Sequence, residues 1–189
     1  DDDEVGQRFA HALMAKQAQG VQVNLLRDSA GTFSTPAAFF ERLAASGVQL
    51  HEFNPGNPLE ARDDWRWNRR NHRKLLIVDG QTAFLGGINI SSVYSGGSFQ
   101  RGSKARDKAA DSPAWRDTDL QLQGPVVAEF QKLFIDAWVQ QKGPPLAERR
   151  YFPPPQAVGK EVVRAIGSSP EEPFSLIYAT LLSAIDCAE

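Results

Sequence analysis

His72 and Lys74 stand two residues apart in the run Asn-His-Arg-Lys-Leu-Leu-Ile-Val-Asp-Gly, residues 71–80, and Gly86-Gly87-Ile88-Asn89 follows shortly after. Successive strand side chains point to opposite faces, so residues i and i+2 share a face about 6–7 Å apart. The spacing predicts an imidazole and an ammonium side by side. That pair suits an anionic phosphorus centre. His72 is placed to attack it and carry a covalent intermediate. Lys74 is placed to hold the non-bridging oxygens and offset charge building in the transition state. Asn89 adds a donor to the same oxygens, and the glycines before it let backbone approach with no side chain in the way. The run as a whole reads His-x-Lys-x-x-x-x-Asp and ends at Asp79.

These residues need strands and turns to hold them. Residues 5–18 read as a helix, acidic at its start, with Val5, Phe9, Ala12, Leu13 and Lys16 on one face and Gly20 closing it. Residues 21–26 read as a strand. Ser34-Thr35-Pro36 opens a second helix through Phe39, Phe40 and Leu43, and Gly47 stops it. Residues 48–53 form a second strand, ended by Asn54-Pro55-Gly56-Asn57-Pro58. Residues 74–78 are the motif strand: His72, Lys74, Leu76 and Val78 share one face, Leu75 and Ile77 the other. Apolar residues on both faces predict a central strand covered on both sides. In the bare sequence Asp79 is the first residue of an Asp-Gly turn into residues 82–85. A short strand at 120–122 follows. Gly124-Pro125 then opens an amphipathic helix with Val126, Val127, Phe130, Leu133, Phe134, Ala137 and Trp138 inward. Pro153-Pro154-Pro155 reads as an extended linker. Residues 161–167 are strand-like, and Ile177, Leu181 and Ile185 mark a last helix. The alternation is α/β.

Composition narrows the function classes. The chain has 189 residues, 41% of them hydrophobic, which is enough for a sizeable core. A formal charge of −2 argues against a nucleic-acid-binding surface overall, so an anion site is local. Cys187 is the single cysteine, and His11, His51 and His72 are scattered, which disfavours a disulfide framework or a zinc site. His11 and His51 read as structural. No run approaches the ~20 apolar residues of a membrane span. Two stretches are locally basic. Arg62, Arg66, Arg69, Arg70 and Arg73 interleave with Trp65 and Trp67, which fits an anionic lipid interface, nucleic-acid phosphates or a solvated loop with tryptophans on the core. Residues 95–113 carry Arg101, Lys104, Arg106 and Lys108 and read as a flexible insertion or a headgroup loop.

The His-x-Lys-x-x-x-x-Asp run followed by Gly-Gly-Ile-Asn resembles the signature of the phospholipase D superfamily. The likeness extends over most of residues 5–140. Gly47-Val48 to Phe53-Asn54-Pro55, then Asn71 to Ser91, then Trp115-Arg116-Asp117-Thr118-Asp119 to Gly124-Pro125, run in the order seen in bacterial cardiolipin synthases. The resemblance implies a phospholipase D-like α/β fold: a mixed sheet flanked by helices on both faces. It makes His72, Lys74, Asp79, Asn89 and Asp117 the catalytic set, with Asp79 largely structural, and Lys74, Gly87 and Asn89 the phosphate-binding set. Gly87 sits where many family members carry a serine. Family proteins place an acidic residue near the start of the strand after the glycine-Asn segment; Asp117 matches it and is expected to hold His72 Nδ1, with Asp119 as runner-up.

The resemblance also implies two repeats. Residues 1–150 are expected to be a first repeat lacking its N-terminal strand and helix, 151–160 a linker, and 161–189 the start of a second repeat, so the fold is expected to be incomplete at both ends. The implied activity is phosphatidyl transfer of cardiolipin synthase type, through a covalent phosphohistidine, to an alcohol acceptor. It needs no cofactor and no metal. The implied partners are a phosphatidylglycerol-like phospholipid, a bacterial inner-membrane surface (reached peripherally or through an anchor outside this segment), and a second repeat or homodimer partner to complete the site; nucleic acid is not favoured. The alternatives are a phospholipase D-like phosphodiesterase or nuclease, and an inactive half-site fragment.

Overall fold

The computed structural model describes residues 1–55, 70–94, 117–168 and 174–188. The basic-aromatic residues Arg62, Trp65, Arg66, Trp67 and Arg69, the 95–113 stretch and Trp115-Arg116 lie outside the described residues.

The first layer follows from two amphipathic helices over a parallel strand pair. Helix α1 (Glu4–Ala18) starts where the Asp3 carboxylate caps it, accepting the Gly6 N–H at 2.9 Å. Strands β1 (Asn24–Asp28) and β2 (Gln49–Phe53) pair in parallel, Asn24 opposite Gln49 and Asp28 opposite Phe53. Helix α2 (Ala37–Ala45) connects them, as a parallel crossover requires. Ala10, Phe39, Leu43 and Val48 are the buried centre, with Leu13, Met14, Val23, Leu25 and Phe40 packed around them. The inward stripe of α1 thus runs through Gly6, Ala10, Leu13 and Met14, and Ala12 and Lys16 are exposed. The larger Leu13 and Met14 side chains set the rotation of the helix.

The second layer carries the motif. Strands β3 (Lys74–Val78), β4 (Thr82–Gly86) and β5 (Asp119–Gln123) form an antiparallel sheet in the order β3-β4-β5. Asp79 and Gly80, at φ 54° and 64°, are the central residues of a turn closed by the Gln81 N–H on Val78 C=O at 3.0 Å, and residues 79–81 connect the paired Val78 and Thr82. Two positive φ values in sequence match the right-handed twist of a hairpin, which is why Asp-Gly is found there. Leu75, Ile77, Leu85 and Leu122 pack with the buried Ala83 against Val127 and Phe130 of helix α3 (Val126–Gln140).

The parallel and antiparallel pairings expected of a mixed architecture are both present. Among the described residues they form two separately hydrogen-bonded sheets. β3 was expected to be central and covered on both sides. Instead, among the described residues it lies at the edge of its sheet and β4 is central, and Leu76, Val78 and Phe84 on one face are 38%, 43% and 37% exposed. An apolar run on both faces fits a buried central strand or an edge strand with one open face, and only the pairing distinguishes them. Residues 161–167 form no strand. They lie irregularly near α3, with Ala165 in the second core and Gly167 beside Leu133. Helix α4 (Leu176–Asp186) begins at Ser175, whose hydroxyl accepts the Tyr178 N–H at 3.2 Å, and exposes its apolar side chains.

Candidate active site

His72 lies two residues before Lys74, the first residue of the β3 ladder. The two side chains meet: Lys74 Nζ lies 2.7 Å from His72 Nε2 and donates a longer bond to the His72 carbonyl at 3.2 Å. An ammonium only donates, so Nε2 is the acceptor, and a neutral ring then carries its proton on Nδ1. Burial lowers the pKa of the Lys74 ammonium, and the Asp117 carboxylate works in the opposite direction.

The wall beside Lys74 is built from glycine. Lys74 pairs across the sheet with Gly86, which in turn pairs with Asp119. A Cβ at position 86 would fall on the Asp119 carboxylate, and one at position 87 would fall on the Asp117 carboxylate. Glycine at both positions lets these two acids close over the backbone. The Gly87 N–H points to Thr118 C=O at 3.4 Å and the Ile88 N–H to Asp119 Oδ1 at 3.4 Å. Asp117 Oδ1 accepts the N–H of its own neighbour Thr118 at 2.9 Å. Asp117 therefore sits against Gly87 and acts on Lys74 through its charge. Among the described residues no hydrogen bond joins Asp117 or Asp119 to His72, and the expected clasp on Nδ1 is not formed.

Asn89 turns its amide to Tyr94, donating to the phenol oxygen at 2.8 Å, and makes no hydrogen bond with His72 or Lys74. Asp79 is in the hairpin turn at the far end of β3, where its backbone conformation explains its presence. The structure thus brings together His72, Lys74, Gly87 and Asp117 and leaves Asp79 apart.

Two acids outside the motif hold its segments. Asp3 Oδ2 accepts the Ser91 hydroxyl at 3.0 Å and the Ser92 N–H at 2.6 Å, just beyond Asn89. Burial acting alone would raise the Asp3 carboxyl; the bonds from Gly6, Ser92 and Ser91 outweigh it together and lower the pKa to about 2. Asp28 Oδ2 accepts the Asn71 N–H at 2.8 Å, one residue before His72. In the sequence Asp3 belongs to the acidic start of the first helix and Asp28 follows the first strand, with no motif around either. Elsewhere His51 Nε2 contacts the Gln141 carbonyl at 2.7 Å beside Trp138, a structural role. Among the described residues no group of three or more His, Cys, Asp or Glu could hold a metal, and no helix is long and apolar enough to cross a membrane.

A family model described as cardiolipin synthase, PLD-like domain, matches residues 5–97, about half of the chain. A cardiolipin synthase of Geobacillus thermodenitrificans is 33% identical over 190 residues, covering 99% of this chain and 35% of the relative. Cardiolipin synthase A of Pseudomonas aeruginosa is 34% identical over 188 residues, covering 97% of this chain and 35% of the relative. Cardiolipin synthase A of Pseudomonas fluorescens is 38% identical over 141 residues, covering 72% of this chain and 26% of the relative. The chain spans about a third of the length of these curated relatives. No solved structure matches. The His-Lys pair at the head of an antiparallel hairpin, the glycine-Asn segment beside it and these alignments agree: the chain belongs to the phospholipase D superfamily, on its cardiolipin synthase side.

Proposed function

We propose that this chain supplies one half of the active site of a cardiolipin synthase-type phosphatidyltransferase. The observation that carries this reading is the Lys74 ammonium held on His72 Nε2, at 2.7 Å, beside a wall of glycine backbone. A phosphodiester entering there offers Lys74 a better acceptor than a neutral imidazole, because hydrogen bonds between ionised groups are the stronger ones. Lys74 moves to a non-bridging oxygen and Nε2 is released to attack. The Nε2–phosphorus bond forms as the bond from phosphorus to the leaving alcohol breaks, leaving a phosphatidyl-histidine. A second alcohol, such as a glycerol hydroxyl of phosphatidylglycerol, then takes the phosphatidyl group. Asn89, once turned from Tyr94, adds a donor to the phosphoryl oxygens. The leaving alkoxide needs an acid from a second motif, supplied by a second repeat or a second copy. Residues 1–150 form the first repeat, 151–160 a linker and 161–189 the opening of the second. The place of action is a bacterial inner-membrane surface.

The test is rapid-quench trapping in detergent at neutral to alkaline pH, which preserves the acid-labile phosphorus–nitrogen bond, in the protein as it exists, with phosphatidylglycerol labelled at phosphorus. Label is expected on His72, absent in His72→Ala, together with a turnover loss of at least about 10⁴-fold, the scale of removing a nucleophile. Label on another residue, or phosphodiesterase activity on DNA in place of lipid transfer, overturns the reading.

A further inference from the structure

We propose that Asp28 is a positioning residue for the His72–Lys74 pair, acting through the backbone N–H of Asn71; this rests on reading that pair as the reactive site. Asp28 ends β1, in the parallel sheet, whereas Lys74 begins β3, in the antiparallel one, and no ladder joins the two among the described residues. Residues 71–73 precede the β3 ladder, so its hydrogen bonds do not fix how His72 approaches Lys74. The Asp28 carboxylate is used at both ends. Oδ1 accepts the N–H groups of Ala30 and Gly31 at 2.9 and 3.0 Å, which turns the chain after β1 and fixes the direction of the carboxylate. Oδ2 is thereby aimed at the Asn71 N–H, 2.8 Å away.

The neighbouring pair repeats the link. Arg70 Nη1 donates to the Ser29 hydroxyl oxygen at 3.0 Å, and that buried hydroxyl donates to the Asn54 carbonyl at 2.5 Å. The Ser29 N–H also reaches the Phe53 carbonyl at 3.2 Å. Residues 70–71 are therefore held at the C-terminal ends of both parallel strands, and His72 is the next residue. The arrangement requires a carboxylate. It accepts at two oxygens, whereas an amide accepts at one and presents donors at the other, facing a donor already there. Substitution by Asn leaves either the turn or Asn71 unheld, with little change in volume.

The experiment is Asp28→Asn and Asp28→Ala in the protein as it exists, second motif included, with steady-state turnover on phosphatidylglycerol and amide exchange at Asn71. The expected result is a fall in kcat of about 10–100-fold with KM within about twofold, the scale of a small misplacement of a reacting group. In parallel, the Asn71 amide is expected to be protected in the wild type and to exchange at least about tenfold faster in both variants. A wild-type Asn71 amide that exchanges without protection overturns the proposal, even where a variant fails to fold. So does Asp28→Asn turnover within about twofold of wild type, or a rise in KM at unchanged kcat. A His72→Ala protein that keeps full turnover removes the reactive-site reading itself, while exchange at Asn71 still reports whether Asp28 holds the segment.

Discussion

A lysine held 2.7 Å from the imidazole nitrogen it would compete with is a resting arrangement. Under the proposed reading, a phosphate oxygen draws away the same ammonium that bonds Nε2 in this structure. Its charge is balanced between burial, which lowers its pKa, and Asp117, which raises it. Asp117→Asn removes the second influence and leaves the first. The variant's Lys74 should then lose its proton at lower pH than in the wild type, and the alkaline limb of kcat/KM should move to lower pH. A pH profile of the two proteins checks this; an unmoved or upward-moved limb contradicts the electrostatic role. Gly87 belongs with Asp117, because a side chain at 87 would occupy the carboxylate's place. In this structure the glycine makes room for an acid.

At the scale of elements, the β3–β4 hairpin delivers Lys74 opposite Gly86, and its turn fixes that register. Gly80 stands at φ 64°, and a Cβ there would meet the Tyr151 carbonyl oxygen at 2.6 Å and Pro153 Cδ at 2.7 Å. Gly80→Ala should therefore cost about 1–3 kcal/mol from backbone strain and crowding. Urea unfolding measures it, and a change below about 0.5 kcal/mol shows the turn to be tolerant. This hairpin was readable from the apolar run at 75–78 and the Asp-Gly turn alone. The strand expected at 161–167 was not formed, because a strand needs a neighbour to pair with, and none of the described residues offers one. Edge and centre in the β3 sheet were likewise invisible to a pattern that reports only which faces are apolar.

For the whole molecule, Asp3 links the start of α1 to Ser91 and Ser92, 88 and 89 residues further along the chain. Its carboxyl titrates near 2 in the folded chain against an ordinary 3.8. A lowered folded pKa contributes stability that is fully present above the ordinary value and lost as pH falls through the folded one. The stability difference between wild type and Asp3→Asn should be level at neutral pH and shrink between about pH 4 and pH 2. Urea unfolding of both proteins across that range tests it; a difference that persists at about pH 2 contradicts the link. Residues 1–189 alone hold one His-Lys motif and an open apolar sheet face at Leu76, Val78 and Phe84. Purified by itself, this chain should be nearly inactive on phosphatidylglycerol, since a positioned acid or base typically contributes 10²–10⁴-fold. It should also self-associate, because an exposed apolar face favours burial. Turnover dependent on His72 from a monomer, measured with mass in solution, contradicts the half-site reading.

Spacing within a strand and the chemistry of turns determined a great deal without any tertiary information. Two residues apart in an extended chain is one face, so the meeting of His72 and Lys74 was legible, as was the structural duty of Asp79 in an Asp-Gly turn. Helices α1, α2 and α3 were legible from apolar periodicity, because burying one stripe is what makes them helices here. Contacts between residues distant in the chain were not. Asp117 turns to Lys74 and Gly87 instead of His72 Nδ1, and Asn89 turns to Tyr94, because the strand pairing and the packing against glycine decide where those side chains point. Asp28 and Asp3 carry no motif, and only the fold brings one carboxylate to Asn71 and the other to Ser91 and Ser92. A local pattern specifies which residue types stand side by side along the chain; which carboxylate reaches which N–H across 43 residues, as from Asp28 to Asn71, is set when the layers pack.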